Sequence, residues 1–171
     1  MEDKHILSVL VNNSSGVLSR VAGLFSRRGY NIDSLSVGRT EDEKISRMTI
    51  TLYGDKNVLE QVIKQLNKLE EVNKVIDLTN NSIYRELVLI KVRANAENRA
   101  AINEIVKIFR SKIVDVSIDT LTIELTGDAN KISALIKLMD EYGIEELVRT
   151  GVTALERGDG TIKTCDEYYF K

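Results

Sequence analysis

An α+β fold built from two successive βαββαβ halves follows from three observations. Apolar residues switch repeatedly between a period of two and a period of three to four, which are the repeats of strand and helix. The order of those switches occurs twice along the chain. The stretch Thr49-Ile50-Thr51-Leu52-Tyr53-Gly54-Asp55-Lys56-Asn57 also returns as Thr122-Ile123-Glu124-Leu125-Thr126-Gly127-Asp128-Ala129-Asn130, and the helix cores that follow stay in phase.

In the first half, Leu7, Val9 and Val11 alternate with Ile6, Ser8 and Leu10, a strand covered on one side and partly on the other. A polar cluster, Asn12-Asn13-Ser14-Ser15-Gly16, then opens a helix whose buried face is Val17, Leu18, Val21, Leu24 and Phe25. Gly29 ends it. A second strand is expected over 31–38, and a third where Met48, Ile50 and Leu52 alternate with Arg47, Thr49 and Thr51. Gly54-Asp55 breaks the third strand, and Val58, Leu59, Val62, Ile63, Leu66 and Leu69 mark the second helix before strand character returns over 72–78. The second half repeats this with strands over 87–94, 113–118, 121–126 and 148–155, and with helices around Ile102–Phe109 and Ile132–Met139. These are two ferredoxin-like halves, 1–80 and 81–160, divided near the polar Asn80-Asn81-Ser82, with a tail over 161–171.

Each half places two helices on one face of a four-stranded antiparallel sheet and leaves the other face open. In the first half that face carries either Ile6 and Leu10 or Leu7 and Val9, so full solvation would expose aliphatic surface. Self-association into a homodimer is the expected cover.

Composition excludes several classes. The 171 residues are 43% hydrophobic and 29% charged, ordinary for a globular protein. A net charge of −2 supplies no field for a polyanion, and 5% aromatics without Trp leaves few stacking platforms, so no nucleic-acid partner is expected. The one His and one Cys cannot make a metal cluster or an internal disulfide, which fits a cytoplasmic setting. No apolar run approaches the ~20 residues of a membrane span, and no leader is expected at Met1-Glu2-Asp3-Lys4.

Catalytic candidates are sparse. His5 reads as a surface residue at the start of the first strand, and Cys165, in Thr164-Cys165-Asp166-Glu167, as an inert thiol beside carboxylates that raise its pKa. The clusters Glu41-Asp42-Glu43 and Glu145-Glu146 read as solvated faces. Gly158-Asp159-Gly160 opens no helix and reads as a turn; Arg27-Arg28 complements a helix C-terminus. No catalytic residue is assigned.

The turn Asn13-Ser14-Ser15-Gly16 before Val17-Leu18 stands apart. The start of a helix leaves backbone N–H groups unpaired and partially positive, so it can hold a carboxylate without a basic side chain, and Gly16 permits close approach. A free amino acid also needs an acceptor for its ammonium, which Asn13 or Asn31 can supply, and Leu18 with Ile32 would enclose a short branched side chain. The plainer reading is a capped helix and a strand start.

The same residues carry a family resemblance. The run Ile6 to Val21, then Gly23-Leu24-Phe25-Ser26-Arg27-Arg28-Gly29-Tyr30-Asn31-Ile32-Asp33-Ser34-Leu35, with Arg85 to Val92 and Leu155-Glu156-Arg157-Gly158-Asp159, resembles the small regulatory subunits of acetolactate (acetohydroxyacid) synthase. The resemblance implies that the first half is an ACT domain pairing with its copy in a homodimer. It implies a non-catalytic chain that activates a large catalytic subunit and confers feedback inhibition by valine or another branched-chain amino acid. Thiamine diphosphate, Mg2+ and FAD are expected on that partner, and no cofactor on this chain. Carried over residue by residue, the effector lies between two copies, on Asn13, Gly16, Val17 and Leu18 of one and Asn31 and Ile32 of the other. The second half departs from the pattern: Asn95-Ala96-Glu97-Asn98-Arg99 has no glycine at its helix opening, so no effector is expected there. The tail, with Asp166-Glu167-Tyr168-Tyr169-Phe170, extends beyond the family pattern. Two other classes compete, a free-standing amino-acid-sensing ACT protein with another client and a small enzyme on the same scaffold. Activation of the large subunit on mixing separates the first from the regulatory subunit, and turnover by the purified chain alone would mark the second.

Overall fold

The strands and helices of the computed structural model, which describes residues 3–163, run β1 (Asp3–Asn12), α1 (Val17–Arg27), β2 (Ser34–Arg39), β3 (Ile45–Gly54), α2 (Lys56–Leu66) and β4 (Val72–Asp77). They continue with β5 (Ser82–Arg93), α3 (Arg99–Ile108), β6 (Lys112–Val116), β7 (Thr120–Gly127), α4 (Ala129–Asp140), β8 (Ile144–Arg149) and β9 (Thr153–Glu156). Cys165 and the tail aromatics lie outside the described residues. The chain packs as two units. One takes the residues up to Tyr84 together with those from Val152 on, and the other is Arg85–Gly151.

In the first unit the antiparallel sheet has the order β2-β3-β1-β4. Alternation decides which side each residue takes. Leu7, Val9 and Val11 face the helices and pack with Val21, Leu24 and Phe25 of α1 and Leu59, Val62 and Leu66 of α2. Ile6 and Leu10 face the opposite side. His5 has the parity of Leu7 and Val9, and instead of lying on the surface it is 6% exposed, its Nε2 donating to the Gly54 carbonyl at 3.1 Å.

The helix-free face is not left for a second copy to cover. Val152, Ala154 and Ile162 pack with Ile6, Leu10, Ile76 and Leu78, while Ser8, Thr49 and Thr51 beneath are at most 2% exposed. Two hydroxyls of β2 fix the register of the covering segment: Ser36 Oγ donates to the Val152 carbonyl at 2.8 Å, and the Val152 amide donates to Ser34 Oγ at 3.3 Å. This corrects the expectation of one strand over 148–155. Gly151, in the left-handed region at φ 80°, breaks it into β8 and β9, and Arg157 ties the returning segment down by donating to the carbonyls of Asn81 and Ser82. Ile162→Ala should therefore lower the unfolding free energy of the first unit by about 2 kcal/mol, the low end of the range for deleting a buried Ile side chain. Chemical denaturation is the check, and an unchanged midpoint would deny the segment its role.

The second unit repeats the plan in the order β6-β7-β5-β8. Val88, Ile90 and Val92 pack under Ile102, Val106, Ile132, Leu135 and Met139. Glu86 continues the buried parity of β5 and is 6% exposed; Arg149 neutralises it with two parallel donations, Nε at 2.8 Å and Nη2 at 2.6 Å. The repeated Gly-Asp has one physical basis in both units. Asp55 accepts from the Val58 amide and Asp128 from the Lys131 amide, each at 2.8 Å, capping α2 and α4.

Candidate functional site

Gly16 takes φ 85°, turning the chain from the end of β1 into α1. No side chain caps this helix, unlike α2 and α4. The Val17, Leu18 and Ser19 amides of its first turn consequently have no partner among the described residues, and no acidic residue occupies that turn. They form an anion-attracting helix start that the chain leaves open.

The other predicted residues divide by position. Val17 is 4% exposed, so it offers the site its amide while its side chain belongs to the core; Leu18 is 46% exposed and available. Asn13 is held in place by the β2–β3 loop: its amide donates to the Lys44 carbonyl at 2.7 Å and its Nδ2 to the Glu43 carbonyl at 2.8 Å. Its Oδ1 accepts nothing from the described residues. The acidic loop 41–43 thus buttresses Asn13 through its backbone. Asn31 and Ile32 precede β2, which begins at Ser34, instead of opening it as a strand; Asn31 is exposed and Ile32 packs partly on the core.

A single chain does not bring the two groups together. Gly16 stands at one end of α1 and the 28–33 segment follows its other end; 11 helical residues separate them by about 16 Å. The strand register shows where they could meet. Asn12 is opposite Ile45 and Arg39 opposite Ser46, so the start of α1 lies at the Arg39 end of β2. β2 is the terminal strand of its sheet. A second copy pairing antiparallel along β2 would bring its own Asn31–Ile32 toward the Gly16 end, by two-fold symmetry at both ends of the pair. Sequence patterning could not reveal this geometry, because it depends on which strand ends the sheet.

In the second unit the loop leading into α3 has no glycine and is tied to itself, although α3, like α1, has no side-chain cap. Asn95 Oδ1 accepts from the Glu97 and Asn98 amides at 3.0 Å each, and Arg99 Nη2 donates to the carbonyls of Ala94, Ser117 and Ile118 at 2.7–2.9 Å. Glu145 and Glu146 pair with Arg93 and Lys91 across the sheet. Among the described residues no three or more His, Cys, Asp or Glu side chains gather as a metal site would need, and no helix is long and apolar enough to cross a membrane.

Comparison with known proteins places both units. Residues 7–74 match the family model described as the AHAS small subunit-like ACT domain, and residues 85–158 the model for the small subunit of acetolactate synthase. A probable acetolactate synthase small subunit of Archaeoglobus fulgidus is 58% identical over 156 residues, covering 91% of this chain and 98% of its own. The acetolactate synthase small subunit of Mycobacterium leprae is 52% identical over 161 residues, 94% of this chain and 95% of its own. The crystal structure of the Thermotoga maritima acetolactate synthase small subunit superposes with a TM-score of 0.85 at 43% identity, covering 92% of this chain and 99% of that one. With two tandem α+β units of this kind, matched along nearly their whole length, the chain belongs to the acetolactate synthase small-subunit family.

Proposed function

We propose that this chain is a non-catalytic regulatory subunit acting in the cytoplasm: it activates a large acetolactate synthase subunit that carries the thiamine diphosphate, and it imposes feedback by a branched-chain amino acid, valine first. The observation that carries the reading is the open helix start at Gly16 beside the terminal strand β2. The effector carboxylate sits on the Val17–Ser19 amides, its ammonium on the amide oxygen of Asn13 or of the second copy's Asn31, and its methyl groups between Leu18 and Ile32. Binding that spans two copies favours whichever subunit arrangement it fits better, and that difference in affinity is the regulatory signal.

The reading is tested by mixing the chain with the large subunit and following pyruvate condensation with and without valine. Stimulation that valine reverses is expected; no stimulation would point to another client. The pairing edge has its own test. Val37 on β2 is 47% exposed, and Val37→Asp places a charge on the edge where two copies must approach. Light scattering should show a dimer converted to monomer, with the valine response lost alongside. A dimer that persists with its feedback intact would move the seam elsewhere.

A further inference from the structure

We propose that a second small-molecule site lies on the helix-free face of the first unit, a cavity of about 550 Å³ between the sheet and the 155–163 segment that takes a small aliphatic monocarboxylate. Leu10, Ile45, Leu155 and Ile162 line it as apolar walls, and among the described residues Arg47 is the lining cation without a carboxylate bonded to it. Volume and lining suit a compact, mostly apolar ligand with one charged end.

Arg47 is positioned as an anchor. It rises from β3 beside β1, and its Nε donates to the fully buried Ser8 Oγ at 2.8 Å, which fixes the guanidinium plane and leaves both Nη groups without a partner among the described residues. Partial burial pulls its pKa down from the usual value, with Glu41 partly opposing, as expected for a cation short of counter-charge. The nearby carboxylates are already engaged. Glu41 pairs with Lys163, whose hydrogen bond holds its carboxyl below the usual range, and Asp42 Oδ1 accepts the Lys44 amide at 2.9 Å. Glu156 has its own partner. A dianion would meet the carboxylates of Glu41, Asp42 and Glu156 beside the single Arg47 guanidinium. One negative charge on a branched hydrocarbon satisfies both the guanidinium and the walls.

Titration of 3-methylbutanoate into the full chain, followed by calorimetry and by methyl NMR, tests the assignment. Saturable binding with one ligand per chain at this cavity, read from the methyl shifts of Ile45, Leu155 and Ile162, is expected. Arg47→Met keeps the aliphatic stem and should weaken binding about tenfold or more, the loss of a charge-assisted pair. Leu155→Asp, at a position 55% exposed where folding is not at stake, should weaken it comparably by repulsion. Gly16→Asp should leave it unchanged, which separates this cavity from the helix start. Absence of saturation, wild-type affinity in Arg47→Met or Leu155→Asp, or loss of binding in Gly16→Asp would each overturn the proposal.

Discussion

Gly16→Asp should abolish valine feedback while leaving activation of the large subunit intact. The substitution sets a carboxylate where the effector's own carboxylate is proposed to lie. Two like charges ~4 Å apart at an effective dielectric of ~20 repel by about 4 kcal/mol, so even after discounting for solvent the affinity falls by roughly a hundredfold or more. Folding should survive. No heavy atom lies within 4 Å of a Cβ built on Gly16, Asp is among the residues that tolerate the left-handed region, and an acidic side chain at a helix start is favourable by ~0.3–1 kcal/mol. Gly16→Asn separates shape from charge: the same volume without the charge should cost feedback sensitivity far less. The readout is activity of the reconstituted enzyme against valine concentration, and a Gly16→Asp enzyme as sensitive as wild type would remove the effector from this helix.

The two halves of that site were not equally visible in the sequence. A polar turn with glycine leading into Val17, Leu18 and Val21 is a local signal of a helix start, and α1 begins there at Val17 without a side-chain cap. Asn31 and Ile32 are in no local relation to it; the proposed connection runs through sheet order and through a second copy. The cover over the helix-free face was hidden for a different reason. Val148, Val152 and Ala154 keep one strand parity across Thr150 and Gly151, so the segment reads as one strand, whereas the left-handed turn at Gly151 is a backbone property and Ile162 stands at no regular spacing. His5 and Glu86 do carry a signal in the sequence. Each lies two residues before a buried run, Leu7-Val9 and Val88-Ile90, and strand parity alone puts them inside. The twofold repeat was the clearest feature, because Gly-Asp between strand and helix does the same work twice.

That repeat nevertheless conceals an asymmetry, and it yields the largest stability effect expected. A Cβ on Gly54 would lie 2.8 Å from Val58 Cγ1 and 2.9 Å from Val58 Cβ; one on Gly127 would meet Lys131 Cδ at 3.1 Å and Cβ at 3.4 Å. Lys131 can swing its flexible stem aside. Val58 cannot, because the nearer obstruction includes its own Cβ, and its amide is held by Asp55, so the first turn of α2 cannot slide without losing its cap. Gly54→Ala should destabilise the first unit by about 2–3 kcal/mol, the upper part of the range for overpacking, and Gly127→Ala the second by less than about 1 kcal/mol. Adding Val58→Ala to Gly54→Ala should restore only part of the loss, since the Cγ1 contact disappears and the Cβ contact stays. Denaturant unfolding of the four chains measures all of this. Equal losses at the two glycines, or full rescue by Val58→Ala, would show that the backbone at the strand-to-helix turn gives way more easily than the capped geometry implies.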